Sequence, residues 1–523
     1  MKDYRPRGVI PIAASATGLT AARKSCPVKP RGAILGALLA AIVASPIPVW
    51  ANELIQTRLQ LQEKYRQQLT DLAAWCESQN LPELAARTRH WFHPPDPHKL
   101  YMPVLPRETN SLAPPSGVTG PAAEWHARFA RLRRDQAAAL FELARRAIRA
   151  QRAALAFECL LDALRENPDH ETIRRILGFQ PYQGQWRTAY EVRRLRSGDI
   201  WHEKFGWIPA AHRNRYENGL RPINDRWLPA EEVEQLRSDI HNGWDIETEH
   251  YLIRTNAGLE AGIVMANELE RLFSVWRQLF VRFYANEAQI MSLFDARSRT
   301  GLPTVAKKRV VYFRSQEDFR NGLRAALPAV DRVNITGVYF GQNRTAYFFV
   351  SDPPDWTTVY HEATHQLFAE ARPTSSQAGL RQNFWILEAV ALYMETLRTQ
   401  GDYHVLGGWE AQRVKDACYR LVHRNEYLPL EKLVSLGMEQ FQTYPDLGML
   451  YTQCAGLAQF FMHHDYGRYR DGLIAYLNAV YSGRDDLLSL SRYTGKQLAE
   501  LDNEYHHYMA SGPELSPIHS AAR

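Results

Sequence analysis

The chain has only five cysteines in 523 residues, and no two are spaced Cys-x-x-Cys. That scarcity argues against a cysteine-bound zinc and against a dithiol redox centre. Beyond residue 51 no apolar run approaches the roughly 20 residues a membrane-spanning helix needs. Collagenous, coiled-coil and low-complexity compositions are also missing. Hydrophobic residues make up 45%, charged residues 23% and aromatics 11%, which suits a folded chain with large cores. A basic field is lacking too. The net charge of +6 comes wholly from the first 51 residues, where Lys2, Arg5, Arg7, Arg23, Lys24, Lys29 and Arg31 face Asp3 alone, and the remainder is formally neutral. With no basic stripe and no interleaved aromatics, nucleic acid is not an expected partner.

The basic N-terminal segment has its own reading. Lys24, Lys29 and Arg31 precede the apolar run from Ala33 to Ala44, Pro46 and Pro48 follow, and Val49-Trp50-Ala51 ends on a small residue. This is the order of a secretory signal, so residues 1–51 are expected to direct export to the periplasm or the extracellular space, with a mature start near Asn52. Left uncleaved, the segment would serve as an N-terminal anchor, the one case in which a membrane association is expected. Export permits disulfides. Cys418 and Cys454 fall in one region and could pair, with buried free thiols as the equal alternative.

Periodicity divides the rest of the chain. Residues 52–92 read as a helical segment, 93–121 as a linker rich in Pro, Gly and Ser, and 122–180 as a helical, repeat-like module. The pair of helices in 153–178 looks like one tetratricopeptide-type unit, a packing module or a surface that docks a protein partner. Residues 181–243 form a small irregular module in which Trp186-Arg-Thr-Ala-Tyr-Glu191 loosely matches Trp227-Leu-Pro-Ala-Glu-Glu232. From 244 to 510, strand-like segments come first: 249–255, 310–313, and a hairpin of 337–340 with 345–350. Helices fill the remainder, an α+β order, and 511–523 is a tail.

The chemistry concentrates at His361-Glu362-Ala363-Thr364-His365. Residues four apart share a helix face, so both imidazoles can reach one ion. Glu362 then lies beside that ion, where a carboxylate can take a proton from water. Asp355 can cap this helix and Arg372-Pro373 can end it. A third ligand is supplied by Glu388, one turn into a second helix that Asn383 can cap. Two histidines and a glutamate suit a single zinc ion better than magnesium or calcium, which prefer all-oxygen shells. Glu395, two turns past Glu388, reads as a solvated charge. The neighbouring pairs His463-His464 and His506-His507 point their rings apart and read as exposed.

These residues carry a resemblance. His-Glu-x-x-His followed by Trp385-x-x-Glu388-x-x-Ala391-x-Tyr393-x-Glu395 resembles the gluzincins, the clan of zinc peptidases that includes thermolysin and the aminopeptidase N family. Ala389 stands where the aminopeptidase branch usually has Gly. The resemblance covers roughly 244–509 and implies a gluzincin-type α+β catalytic domain preceded by mainly helical modules. It implies zinc on His361, His365 and Glu388, Glu362 as general base, and a peptide or protein substrate. In the aminopeptidase branch a tyrosine some 60 to 65 residues after the glutamate ligand starts a helix and steadies the oxyanion, which implies that role for Tyr451. The branch's Gly-x-Met-Glu-Asn segment, which grips a free amine, has no counterpart here, so an endopeptidase or another end-recognition device is expected. The strand 345–350 is the candidate for pairing with an extended substrate. Two other readings stand beside this one: a noncatalytic scaffold of the same fold, and a zinc hydrolase of a non-peptide bond.

Overall fold

The computed structural model describes residues 49–92, 96–295, 298, 301–327 and 335–512. The signal reading of residues 1–51 falls almost wholly outside them. No helix among the described residues is long and apolar enough to cross a membrane. The chain is mixed α and β, 57% helical and 14% strand, with small sheets.

The N-terminal half begins with a helical hairpin, α1 (Val49–Ser78) and α2 (Pro82–Trp91), joined at Asn80, whose φ is 58°. Strand β1 (Lys99–Pro103) follows, then α3 (Gly120–Arg149), α4 (Ala153–Glu166) and α5 (Glu171–Ile176). Trp125, Phe129, Leu140, Leu143 and Ala147 recur along one face of α3 and are buried, the spacing of an amphipathic helix. Tyr65, Leu69, Leu72 and Cys76 of α1 meet Trp125 and Phe129 in a cluster of their own. Helix α4 is buried nearly all round and joins the main apolar core, which runs without a break from Leu54 to Met509. These helices therefore pack into the body of the protein.

Three β-hairpins come next, each followed by a helix. They are β2 (Phe179–Tyr182) and β3 (Gln185–Thr188) with α6 (Ala189–Arg196), then β4 (Asp199–His202) and β5 (Gly206–Pro209) with α7 (Arg213–Glu217). The last pair is β6 (Leu220–Ile223) and β7 (Arg226–Pro229) with α8 (Ala230–Leu236). The loose match between Trp186 and Trp227 is thus two of three copies of one unit, with Trp207 at the same place in the middle copy. Each copy starts from a glycine at positive φ: Gly178 at 92°, Gly198 at 89° and Gly219 at 77°. A side chain is disfavoured there, which fixes the repeat's register.

The C-terminal half starts with β8 (Trp244–Glu247), β9 (Tyr251–Thr255), and helices α9 (Leu259–Leu279), α10 (Val281–Tyr284) and α11 (Glu287–Leu293). Then come β10 (Lys308–Phe313), α12 (Gln316–Leu323), β11 (Gly337–Phe340) and β12 (Thr345–Phe349). The five strands form one sheet in the order β11-β12-β10-β9-β8, parallel at the two central pairings and antiparallel at both edges. Helix α13 (Trp356–Glu370) lies against it, followed by α14 (Trp385–Met394), the hairpin β13 (Arg398–Gln400) and β14 (Tyr403–Gly407), and α15 (Gln412–Arg424). Helices α16 (Leu430–Ser435), α17 (Met438–Gln442), α18 (Leu447–Gly467), α19 (Arg470–Tyr481), α20 (Ser489–Thr494) and α21 (Leu498–Ala510) complete the described residues.

One sequence expectation changes here, and of two open alternatives one is found. The stretch read as a linker contains β1, which pairs antiparallel with β14, Lys99 opposite Gly407 and Pro103 opposite Tyr403. Its Pro-rich flanks mask it, and Pro103 is tolerated because β1 is an edge. Cys418 and Cys454 are unpaired thiols, as are Cys76 and Cys159, all four buried. Cys418 instead donates to the Met509 carbonyl at 3.3 Å.

A buried ionic knot ties the first helix to the last ones. Arg58 of α1 donates to Glu158 and Asp162 of α4 at 2.8 and 2.7 Å, and Arg470 of α19 donates to Glu158 at 2.6 Å. Burial alone would raise Glu158, but the two guanidinium groups outweigh it and bring it down to about 2. Burial pushes Asp162 up instead, so Glu158 is the anion on which the knot is built. With the carboxyl held below its ordinary value, its stabilisation is complete above about pH 4.5 and vanishes as the pH falls toward 2. Glu158→Gln is expected to cost about 3 kcal/mol at neutral pH. Denaturant unfolding of both proteins across this range checks it: the gap should close near pH 2.

Candidate metal centre

Helix α13 is started by Asp355, whose carboxylate accepts from the Thr358 N–H at 3.1 Å. Its strand neighbour is held very close. A Cβ on Gly337 would sit 2.7 Å from Thr358 Cγ2 and 2.9 Å from Phe348 Cδ1, so only glycine lets β11 lie on the helix at that point. The Tyr339 N–H then reaches Glu362 Oε2 at 3.0 Å. His361, Glu362 and His365 are all buried, at 4%, 6% and 5% exposure. The chain returns through 371–384 and α14 brings Glu388, also buried, against the two histidines.

The three side chains converge on one point. His361 Nε2 and His365 Nε2 are 3.1 Å apart, Glu388 Oε2 is 3.4 Å from the former, and Glu388 Oε1 is 3.8 Å from the latter. Donors 2.0–2.1 Å from a tetrahedral ion stand roughly 3.3 Å from one another. Glu388 Oε2 is buried without a hydrogen bond among the described residues. The group can therefore hold a metal ion, and its donors suit a divalent one. Without a cation, one of the two Nε2 atoms must carry a hydrogen, because two lone pairs cannot face each other at this range. Burial alone would lower both rings. The carboxylates of Glu388 and Glu395 outweigh it at His361 and hold that ring up at about 10, while His365 falls to about 4. Burial would raise Glu388, and the two imidazoles bring it down.

Glu362 lines the same cleft as His361. Burial pushes it up to about 7, against the pull of His361 and the Tyr339 N–H. His361, Glu362 and Tyr451 face a cleft of about 830 Å³, with Gly337, Glu395 and Arg413 in its walls. Burial, and then the charges of Glu388 and Glu362, hold the Tyr451 phenol well above its ordinary value. Its ring meets Phe441 edge-on, with centroids 5.7 Å apart. The structure thus groups His361, His365 and Glu388 and places His361, Glu362 and Tyr451 on one cleft.

Several finer expectations are corrected. Glu395 is not solvated: its side chain is 8% exposed, with Oε1 2.8 Å from His361 Nδ1 and Oε2 accepting from Arg413 Nε at 3.0 Å. The seven-residue interval from Glu388 was the available signal, since it keeps both carboxylates on one face of an otherwise apolar helix. Asn383 does not cap α14; its amide donates to Asp485 and its oxygen accepts from Tyr476. Tyr451 lies in the second turn of α18, because Asp446 caps that helix earlier than expected. His463 is buried, 3.0 Å from the Tyr393 hydroxyl, and His464 is partly buried. His506 and His507 are exposed. Strand β12 is interior, bonded to β10 and β11, so among the described residues the edge beside the cleft is β11.

No protein-family model matches the chain, and comparisons with curated proteins and with solved structures likewise give no match. The reading of the site therefore rests on its own geometry.

Replacing His361, His365 or Glu388 by Ala is expected to remove stoichiometric bound metal, because three protein donors are the minimum for a tight site of this kind. Elemental analysis of purified variants checks this. A Glu388→Ala protein that retained a full equivalent would show that Glu388 is not a ligand.

Proposed function

We propose that the protein is a zinc-dependent hydrolase of peptide bonds with a gluzincin-type catalytic domain, acting on an extended peptide laid along β11. The observation that carries this reading is the buried His361-His365-Glu388 group, with the Glu362 carboxylate beside it at the wall of an open cleft. Two imidazoles and one carboxylate are the donor set of catalytic zinc. When bound, such an ion supplies Lewis acidity, polarising a carbonyl and acidifying water.

The chain's own residues supply the remainder. Glu362, held near neutrality by burial and fixed by the Tyr339 N–H, accepts the proton of the attacking water and passes it to the leaving amine. Tyr451 keeps its proton at any working pH, so its hydroxyl is a donor available to the developing oxyanion. Among the described residues strand β11 is paired on one side only, and Gly337 lies in the cleft wall, so an extended backbone can add beside Gly337 while the Tyr339 N–H stays on Glu362. Nothing in this arrangement demands a free amine, which favours internal cleavage. The composition of residues 1–51 supports an exported enzyme.

Two substitutions test the reading in a broad peptide library. Glu362→Gln keeps volume and removes the base. It is expected to retain zinc and lose turnover by roughly 10²-fold or more. A fully active Glu362→Gln protein would refute the mechanism, and wild type that holds zinc yet cleaves nothing would favour a scaffold. Tyr451→Phe deletes one hydroxyl. It is expected to lower kcat roughly 10- to 1000-fold with KM, zinc content and Tm nearly unchanged. A drop in Tm with the kcat of the folded fraction intact would make Tyr451 a packing residue instead.

A further inference from the structure

We infer that Arg413 is a positioning residue for the metal centre, acting through Glu395 on His361. The inference rests on the reading of His361, His365 and Glu388 as metal ligands. Arg413 belongs to the first turn of α15, which contributes no ligand, and its side chain forms part of the cleft wall. The connection is continuous. Arg413 Nε donates to Glu395 Oε2 at 3.0 Å, Glu395 Oε1 lies 2.8 Å from His361 Nδ1, and His361 Nε2 faces Glu388 at 3.4 Å.

Each oxygen of Glu395 therefore has a different partner, and the two together fix the plane of the carboxylate. An Nδ1–H donated to that carboxylate selects the tautomer whose Nε2 lone pair points at the ion. Held by His361 alone, the carboxylate could turn about its last torsion and take the ring with it. Charge argues the same way. Glu362, Glu388 and Glu395 are three carboxylates in one buried neighbourhood. A divalent ion balances two of them, and the Arg413 guanidinium balances the third. Without it, Glu395 would be an uncompensated buried anion and would lose the contact that fixes its second oxygen.

The sign of one measurement separates positioning from mere proximity. A guanidinium that acted only as a nearby positive charge would repel the cation, so its removal would tighten binding. A positioning guanidinium gives the opposite result. The experiment is chelator competition with Zn2+ on the full chain, comparing wild type, Arg413→Met, Arg413→Gln, Arg413→Lys, Glu395→Gln and the Arg413→Met/Glu395→Gln double variant. Removing the guanidinium is expected to weaken Zn2+ binding roughly tenfold, with Arg413→Lys restoring part of the loss. In the Glu395→Gln background, removing Arg413 should change affinity by less than about twofold, because the connection is already cut. The Co2+ absorption spectra of Arg413→Met and Glu395→Gln should shift alike. Met and Gln at 413 are alternatives, so one failing to fold leaves the other, with melting in chelator as the control for folding. Zn2+ bound as tightly or more tightly without the guanidinium overturns the inference, and so do effects that simply add in the double variant. Wild type that takes up no Zn2+ overturns the metal reading itself, a different and separable failure.

Discussion

The 3.1 Å approach of His361 Nε2 to His365 Nε2 is the contact around which the rest of the molecule is arranged. Two imidazoles four residues apart on a helix can meet, but burying them so that their nitrogens face one another is unfavourable unless a hydrogen or a cation lies between. A cation there must be held by negative groups within the same small volume. Glu388 supplies one charge from α14 and Glu395 a second from the end of that helix, each placed by the seven-residue interval that returns a side chain to the same face. Arg413 then limits the accumulation of negative charge. Each of these groups would be costly alone, and together they satisfy one another.

Such a centre needs rigid surroundings. Helix α14 is buried over its entire length, and its Trp385 donates to Tyr476 of α19. Helix α19 is in turn fixed to the N-terminal helices through Arg470, Glu158 and Arg58. Strand β1 adds to the β13–β14 hairpin that follows α14 directly. The N-terminal half thus braces the helices that carry the site, which accounts physically for its continuity with the main core. Repeat-like helical pairs elsewhere stack on further copies of themselves; α3 and α4 pack against the site-bearing half instead.

What could be read from the sequence follows from how local each signal is. The two histidines are legible because their geometry is set within one helix, and Glu388 because an apolar second helix follows at a distance that allows return. Glu362 lies within the same pattern, whereas Tyr451 is legible only through the resemblance to the aminopeptidase branch. Glu395 was misread because a carboxylate at a helix end is usually solvated, and only the packing of α15 shows that this one is covered. Asp446 was missed as the cap of α18, because a cap is recognised only once the helix start is known. Strand β1 was hidden by its proline-rich flanks, its partner lying some 300 residues away in the chain. The middle hairpin copy is harder to see because His212 stands where the other two have Glu191 and Glu232. Which strand of the 337–350 hairpin is the edge is a property of the whole sheet, and no local pattern contains it.

The charge pattern of the cleft bears on what the proposed enzyme can discriminate. Helix α15 turns Arg413, Arg420 and Arg424 toward it, a stripe that in isolation would select acidic side chains. Each is tied to a carboxylate of the protein: Arg413 to Glu395, Arg420 to Glu426 and Asp446, and Arg424 to Glu426. Arg398 at the rim is likewise paired with Glu410, which also holds Lys99 of β1. A substrate carboxylate would have to displace these partners and would gain only the difference between two similar interactions. The backbone edge of β11, by contrast, offers the same groups to any extended chain whatever its side chains. On the proposed reading, selection in this cleft therefore falls mainly on backbone conformation and on fit beside Gly337, and only weakly on side-chain charge.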